Sequence, residues 1–202
     1  MDYDEQREYA LNLFHGDKYS ELRDAIEAGE CFNELVPLAK KSGAIEYWNQ
    51  FPDEWLYRAG CGWKGITDDM KIKAFNRLKG EWLYRTGYSW DEITDEMRID
   101  AFSRLEGEWL YRAGHYWSGI TDDIRVGSFN RLEDECLYRA GCDWSGITDN
   151  MKIGSFNRLE DECLYQAGRY WSGITDDIRV GSFNRLKGEW LYLAGCDWSM
   201  GE

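Results

Sequence analysis

A 27-residue segment recurs in tandem through most of this chain, and this repeat constrains the fold more than any other feature of the sequence. The copy at 61–87 has the sequence CGWKGITDDMKIKAFNRLKGEWLYRTG. Further full copies begin at residues 88, 115, 142 and 169, and a truncated copy occupies 196–202. A fixed period of roughly 20–50 residues is typical of stacked arrays, in which each unit buries its apolar face against its neighbours. The repeat therefore predicts an elongated, solenoid-like array.

The composition is that of a folded protein without membrane-spanning segments. The chain has 202 residues, of which 16% are aromatic and only two are proline. Its apolar runs are a few residues long, whereas a helix needs about 20 apolar residues to cross a bilayer. The N-terminus, MDYDEQREYA, is acidic, whereas a secretory signal begins with basic and then apolar residues. We therefore expect a cytoplasmic protein that does not bind membranes.

Two regions are predicted, an acidic helical N-terminal cap at 1–44 and the tandem repeats at 45–202. Three helices are predicted in the cap, at 2–14, 17–29 and 31–43. A partial copy of the repeat, 45–60, follows the cap and ends in DEWLYRAG. A terminal unit of this kind presents a polar face to water and so ends a repeat array.

Each full copy carries the start signal of a helix. Thr67 is the predicted N-cap residue, and two aspartates follow it at the positive end of the helix dipole. The equivalent threonines are Thr94, Thr121, Thr148 and Thr175. Apolar residues then recur four positions apart, which is typical of the buried face of a helix. In the first full copy they are Met70, Ala74, Leu78 and Trp82. Gly87 is predicted to end the helix, and the fold class is all-α.

The pattern leaves the number of helices per repeat open. One kinked helix of about 18 residues is the preferred interpretation. Two shorter helices are the second interpretation, and a helix followed by a strand is the third. Gly80, Gly107, Gly188 and Pro52 weaken the middle of the segment, because glycine and proline destabilise a helix interior. Two other copies read LEDECLY at this point and contain no residue that stops a helix, which favours the single helix.

A tryptophan lies in the short connector of every copy. These residues are Trp63, Trp90, Trp117, Trp144, Trp171 and Trp198. The preferred interpretation is an internal ladder that packs one repeat against the next, rather than exposed rings that stack on bases, sugars or peptides. Alternate connectors from residue 115 onward read YWSG or CDWS, which is a 54-residue super-period. Helices that alternate up and down, or duplication of a two-copy unit, explain this alternation equally well.

Six cysteines are present, but their positions do not suggest disulfides or a metal site. Cys61, Cys142 and Cys196 share one repeat position, and Cys136 and Cys163 replace a tryptophan found in the other copies. The sequence contains no C-x-x-C pair and no Cys/His ligand spacing. We therefore interpret the cysteines as reduced, small apolar residues and predict no bound metal.

The sequence offers no convincing catalytic set. Its two histidines, His15 and His115, are not repeated, and it has no phosphate-binding loop, G-x-S-x-G elbow or HExxH motif. Acidic pairs such as Asp122 and Asp123 recur along the repeats. Helix capping explains them better than general acid–base catalysis, because an active site is needed only once. We therefore predict a protein that is not an enzyme and uses no cofactor.

A row of tyrosines with neighbouring arginines is one candidate binding surface. The row contains Tyr84, Arg85, Tyr111, Arg112, Tyr138 and Arg139. Tyrosine and arginine are enriched at the energetic centres of protein interfaces. The arginines are equally well explained as partners of the carbonyl groups at helix C-termini. Both interpretations stay open.

Acidic residues form the other candidate surface. The chain carries a net charge of −14, of which residues 1–50 contribute −6. The candidates are Asp2, Asp4, Glu5 and Glu8 in the cap and Glu133, Asp134, Glu135, Glu160, Asp161 and Glu162 in the repeats. Regularly spaced carboxylates can imitate a nucleic-acid backbone and occupy a basic cleft. A solvated face that keeps the array soluble is the alternative, which the interleaved Arg131, Arg158 and Arg185 favour.

The predicted function is to bind and block another macromolecule. Strong acidity favours a basic protein partner, and the absence of basic runs argues against direct binding to nucleic acid. The specific hypothesis is an inhibitor or immunity-type protein, and possible nucleic-acid mimic, that acts on a nuclease or another nucleic-acid-binding protein. Such proteins belong to mobile-element or phage-type defence and counter-defence. The alternatives are a small-ligand binder with aromatic pockets between repeats and a structural scaffold. The oligomeric state stays open.

Overall fold

The computed structural model describes residues 53–62 and 66–198. The expected cap at 1–44 lies outside the described residues, and so does the first part of the partial copy. The described chain divides into two compact units, with the boundary between Ile93 and Thr94.

All regular secondary structure in this part of the chain is helical. The eleven α-helices are α1 (Asp53–Gly62), α2 (Asp68–Phe75), α3 (Gly80–Ser89), α4 (Asp95–Phe102), α5 (Gly107–Tyr116), α6 (Asp122–Phe129), α7 (Asp134–Asp143), α8 (Asp149–Phe156), α9 (Asp161–Tyr170), α10 (Asp176–Ser182) and α11 (Gly188–Asp197). One turn of 3-10 helix, Phe183–Arg185, follows α10. The predicted all-α repeat class is confirmed. None of the described helices is long and apolar enough to cross a membrane.

Each repeat contains two short helices, so the preferred prediction of one kinked helix is wrong. A first helix of seven or eight residues begins after the threonine, and a second helix of ten residues follows. The first helices are α2, α4, α6, α8 and α10, and the second helices are α1, α3, α5, α7, α9 and α11. Between α2 and α3 the chain is extended at Lys79, with φ −133° and ψ 164°. This extended residue separates the two helices.

The first residue of the second helix explains the break. Gly80, Gly107 and Gly188 have φ angles of 47°, 48° and 54°, in the left-handed region that glycine adopts without steric cost. Asp134 and Asp161 take the same conformation in the two LEDECLY copies, with φ angles of 39° and 37°. Aspartate tolerates this region better than most side chains do. The copies that favoured an uninterrupted helix therefore break at the same position as the others.

The predicted starts of the first helices are confirmed. Thr67, Thr94 and Thr148 accept a hydrogen bond from the backbone N–H three residues later. Thr121 and Thr175 also occupy the N-cap position, but their side chains make no capping hydrogen bond. Acidic residues lie in the first turn of every first helix, where they interact favourably with the helix dipole.

The core lies between consecutive second helices and the first helices that join them. In residues 94–198, α5 packs on α7, α7 on α9, and α9 on α11, and in residues 53–93, α1 packs on α3. The largest buried side chains recur at fixed repeat positions. They include Phe75, Phe102, Phe129, Phe156, Leu78, Leu105, Leu132 and Leu159. Burying one such side chain contributes about 1.5–3 kcal/mol, so each repeat relies on its neighbours for its core.

The connector tryptophans form the predicted internal ladder. Trp90, Trp117, Trp144, Trp171 and Trp198 are each at most 4% exposed, and Trp63 lies outside the described residues. The indole of Trp144 donates a hydrogen bond of 3.2 Å to the backbone carbonyl of Tyr111, in the preceding second helix. Trp171 makes the equivalent bond to Tyr138. These buried rings are therefore not available to stack on a ligand.

The glycine near the end of each second helix has a different role from the predicted one. Gly87 does not end α3, which continues to Ser89. At the equivalent Gly141, an added Cβ would lie 2.5 Å from ring atoms of Trp171. The glycine therefore marks the place where an indole of the next repeat crosses the helix.

This crossing repeats without alternation. Trp144 lies on Gly114, Trp171 on Gly141 and Trp198 on Gly168. Successive copies therefore have equivalent surroundings within this unit. Alternating up and down helices do not explain the 54-residue super-period, because every copy contributes the same helix pair.

Candidate partner-binding surface

Two clusters of carboxylates lie at the starts of α7 and α9, which pack against each other. We call them the acidic clusters. They consist of Glu133, Asp134 and Glu135 in one copy and Glu160, Asp161 and Glu162 in the next. Five of these side chains are exposed, and Asp161 is half-buried. The packing of α7 on α9 therefore places six predicted contact residues on two adjacent helix starts.

The local structure explains why acidic residues are stable there. The N-terminus of a helix carries unpaired N–H groups and partial positive charge, which favours carboxylates. Glu133 and Glu160 are the N-cap residues of the two helices, although neither side chain makes a capping hydrogen bond. This stabilisation accounts for acidic residues at one helix start, but it does not require six of them on neighbouring starts.

The acidic clusters differ from the equivalent positions in other copies. The residues before and at the start of α3 and α11 are Lys-Gly-Glu, and those of α5 are Glu-Gly-Glu. The clusters also contain few local cations. Glu135 pairs with Arg139 one helical turn later, but Glu162 lies one turn before Gln166, where all four preceding copies have arginine. The acidic clusters are therefore the two longest runs of consecutive acidic residues in the described part of the chain.

The three interleaved arginines bind the preceding copy, and Arg131 also lines a groove together with Glu133 of the acidic clusters. Arg131, Arg158 and Arg185 each donate to a backbone carbonyl of the preceding copy. Their guanidinium groups are directed at the turns between helices, and Arg131 and Arg158 remain exposed to solvent. The cap residues Asp2, Asp4, Glu5 and Glu8, also predicted as contacts, lie outside the described residues.

The arginines of the tyrosine–arginine row pair with glutamates on the same helix. Arg85 contacts Glu81 at 2.7 Å, and Arg112 contacts Glu108 at 2.6 Å. Arg139 pairs with Glu135 in the same way. These ion pairs with the preceding turn of the same helix account for the three arginines at least in part, and both earlier interpretations of the row stay predictions.

Tyr111 and Tyr138 of the row connect neighbouring repeats. The Tyr111 hydroxyl donates a hydrogen bond of 2.5 Å to Asp143 of the next second helix, and its ring stacks on Trp144 at 6.4 Å. Burial, followed by the hydrogen bond to Asp143, raises the pKa of Tyr111 well above its ordinary value. Tyr84 and Tyr138 are likewise half-buried. Much of each ring is therefore buried within the array, and only the remainder is exposed to solvent.

A groove of about 440 Å³ lies between α7 and α9 beside the acidic clusters. It is lined by Glu135, Tyr138, Arg139, Glu162, Cys163 and Gln166. Sequence reasoning did not predict this groove. The available signal was the replacement of tryptophan by cysteine in two consecutive copies, which removes a large ring from each of two neighbouring helices.

The cysteines beside this groove are poor nucleophiles. Burial, together with nearby carboxylates, raises the pKa of the Cys163 thiol to about 11. Burial also raises the pKa of Cys136. Because the thiolate is the reactive form, neither residue has the depressed pKa of a catalytic cysteine. The five cysteines within the described part of the chain are unpaired.

The acidic pairs at the first helices are part of the scaffold. Asp122 accepts hydrogen bonds from Ser145 of the next copy at 2.6 Å and from Arg125 at 2.7 Å. The bond from Ser145, together with Arg125, lowers the pKa of Asp122. In residues 53–62 and 66–198, His, Cys, Asp and Glu side chains form no group of three or more that could hold a metal ion.

Comparison with protein-family models, with curated proteins and with solved structures finds no match to this chain.

Proposed function

We propose that the protein is a non-enzymatic inhibitor that covers a basic site on another protein, with nucleases and other nucleic-acid-binding proteins as the preferred class of partner. The observation that carries the proposal is the pair of acidic clusters on α7 and α9, which pack against each other and present six carboxylates. Complementary charge steers association and selects partners of opposite sign. The net charge of −14 likewise favours a positively charged partner.

The spacing of the clusters supports a partner that normally binds a polyanion. Carboxylates recur at the same position of successive repeats, as phosphates recur along a nucleic acid. A cleft that binds phosphates through lysine and arginine is complementary to such a surface. The protein would thus act as a nucleic-acid mimic by occupying the cleft and excluding the natural ligand.

The chain itself supplies a control variant for this proposal. Lys187 and Gly188 occupy the positions equivalent to Glu133 and Asp134 and begin a helix of the same length. The variant E133K/D134G/E160K/D161G therefore copies a sequence that the fold already accepts. Each Glu→Lys change adds two positive charges and each Asp→Gly change adds one, so the net charge rises from −14 to −8.

The experiment uses wild-type protein and this charge-swapped variant as paired baits for extracts of the source cell, with elution by a salt gradient. Eluted proteins are then tested in nuclease and DNA-binding assays. We expect the wild type to retain a basic nucleic-acid-binding protein, to inhibit it at low salt, and to lose affinity as salt rises. The charge-swapped variant should inhibit at least about tenfold less well. If both baits retain the same proteins, or the retained protein is not inhibited, the proposal is wrong.

A further inference from the structure

The groove between α7 and α9 lies where other copies of the repeat place a tryptophan ring. In α3, Trp82 packs on Tyr57 of the preceding second helix, with ring centroids 5.6 Å apart. In α11, Trp190 packs on Tyr165 in the same way, at 5.7 Å. In both pairs the tryptophan follows the tyrosine by 25 residues. Two pairs of neighbouring second helices, α1 with α3 and α9 with α11, therefore share a tyrosine–tryptophan contact that crosses from one repeat to the next.

Cysteine interrupts this contact in the middle of the array. Counting 25 residues from Tyr138 leads to Cys163, which lines the groove together with Tyr138. Tyr165 contacts both Trp190 and Trp198 and is only 3% exposed, whereas Tyr138 contacts Trp171 and stays half-buried. The groove is therefore the space beside a tyrosine ring from which the repeat's usual indole is missing.

The lining suits an aromatic side chain. Tyr138 offers a ring for offset or tilted packing, and the polarisable sulfur of Cys163 makes favourable contacts with ring edges. Arg139 lies on the same wall. The arginines of other copies, Arg85 and Arg112, lie over Trp82 and Trp109 at 5.4 and 5.5 Å. An indole in the groove would thus meet the same kinds of group that surround the chain's own indoles.

The charges at the rim of the groove favour particular residues beside a bound aromatic ring. Glu135 and Glu162 both line the groove, and the acidic clusters continue beyond them. One of these two carboxylates pairs with Arg139, whereas Glu162 has Gln166 in the position of the usual arginine. The rim therefore carries excess negative charge and is complementary to lysine or arginine beside the bound ring. The volume of about 440 Å³ is within the range of roughly 300–1,000 Å³ that is typical of ligand pockets.

We infer that this groove binds an aromatic side chain, preferably tryptophan, flanked by basic residues on the surface of the partner protein. The inference rests on the proposed function, because it takes the partner to be a basic protein. It adds an anchor residue to the electrostatic contact, since buried aromatic anchors dominate binding energy at protein interfaces. In chemical terms, the partner's ring restores the tyrosine–tryptophan contact that Trp82 and Trp190 make within the chain.

The test uses a short peptide, Lys-Lys-Trp-Lys-Lys, in which the tryptophan carries a fluorine atom, so that fluorine NMR observes only the peptide. Peptides with alanine in place of tryptophan, carrying a fluorinated N-terminal cap, and with glutamate in place of lysine are the controls. We expect saturable binding of the basic tryptophan peptide to wild-type protein. Its affinity should exceed that of either control by about tenfold.

Two tryptophan substitutions locate the site. Cys163→Trp fills the groove with the side chain that other copies have at this position and should weaken binding about tenfold. Cys136→Trp introduces the same side chain one repeat earlier, outside the groove lining, and should leave binding unchanged. Gln166→Arg, a substitution at the rim, supplies an arginine that pairs with Glu162. It should weaken binding of the basic peptide and leave binding of N-acetyltryptophanamide unchanged. Far-UV circular dichroism verifies that each variant is folded.

The outcomes separate the inference from the proposed function. If alanine and tryptophan peptides bind equally, or Cys163→Trp binds as the wild type does, the inference is wrong. Inhibition of the captured partner by the Cys163→Trp variant at wild-type potency would also overturn the inference and leave the electrostatic proposal intact. Loss of binding in the charge-swapped variant alone supports only the proposed function.

Discussion

Arg131 donates a hydrogen bond of 2.6 Å from its guanidinium group to the backbone carbonyl of Leu105, 26 residues earlier in the preceding repeat. A second bond of 2.9 Å joins the same nitrogen to the carbonyl of Ser103. Carbonyl groups at the end of a helix have no partner within that helix. Arg185 makes the equivalent pair of bonds, to Asn157 and Leu159. Arg131, Arg158 and Arg185 therefore each bind the turn of the repeat before their own.

Removing this inter-repeat contact should destabilise the array. We expect Arg131→Ala to lower the free energy of unfolding by about 1.5–3 kcal/mol, because hydrogen bonds from a charged donor to part-buried acceptors are lost. Urea denaturation followed by circular dichroism measures the change. Arg139→Ala is the matched control, since its exposed ion pair with Glu135 should contribute less than about 1 kcal/mol. Equal effects of the two substitutions would contradict the assigned role of Arg131.

The crossing of Trp171 over α7 predicts opposite effects for two glycine-to-alanine substitutions. Gly141→Ala places a Cβ against the indole and should destabilise the protein by about 1–3 kcal/mol through overpacking. Gly154→Ala lies in α8 with no atom within 4 Å of the added Cβ. It should stabilise the protein by about 0.4–1 kcal/mol, because alanine reduces the conformational entropy of the unfolded chain. Thermal denaturation of both variants tests this difference in sign.

The left-handed backbone at Asp134 predicts a preference for glycine at that position. Asp134→Gly should leave stability unchanged or raise it slightly, as Gly107 and Gly188 have the same conformation. Asp134→Ala should lower the free energy of unfolding by about 1 kcal/mol, because a Cβ is strained at this φ angle and alanine lacks the side-chain oxygens of aspartate. Chemical denaturation ranks the three proteins. If the Asp134→Ala protein proved as stable as the Asp134→Gly protein, the break between α6 and α7 would need another explanation.

The raised pKa of Cys163 predicts slow alkylation and a loss of stability in alkali. At pH 8 we expect Cys163 to react with iodoacetamide at least about tenfold more slowly than the exposed Cys142, because little of the thiol is ionised. Peptide mapping by mass spectrometry gives the rate at each residue. Cys163→Ser is unreactive at this position and identifies the Cys163 peptide.

The same shift fixes the sign of the pH dependence of stability. The unfolded thiol loses its proton near pH 9, whereas the folded thiol keeps its proton until about pH 11. Above pH 9 the unfolded state therefore binds fewer protons, and stability falls as the pH rises toward 11. The contribution of Cys163 is fully present below pH 9. Denaturation of wild type and Cys163→Ser at pH 8 and pH 10.5 should show a steeper loss for the wild type.

Much of the fold could be predicted from the sequence because the responsible interactions are local or repeat with the same period. The 27-residue repeat indicates that neighbouring units share a core. Thr67 and its equivalents mark helix starts, since an N-cap residue and the acidic residues after it act within one turn. Burial of the connector tryptophans follows from the same logic, because a repeat array needs apolar contacts between its units.

The division of each repeat into two helices could not be decided from the sequence, because Asp134 and Asp161 carry no clear stop signal. Both take the left-handed conformation two residues after a buried leucine, Leu132 or Leu159, whose carbonyl accepts a hydrogen bond from the next repeat. Similarly, Gly87 has the residue type of a helix end but lies inside α3. The sequence shows that glycine recurs at this repeat position. Only the fold shows the reason, which is that an indole of the neighbouring repeat packs against the glycine.

By itself, then, the sequence determined the repeat, its helical class and the excess of negative charge, since these follow from residue identity and short-range spacing. The tertiary structure decided which distant residues meet. It brings Tyr138 beside Cys163, 25 residues away, and so turns a substitution that seemed a conservative loss of apolar surface into a groove bordered by carboxylates. The physical reason is that a groove depends on the distance between two packed helices, which no local pattern within either helix encodes.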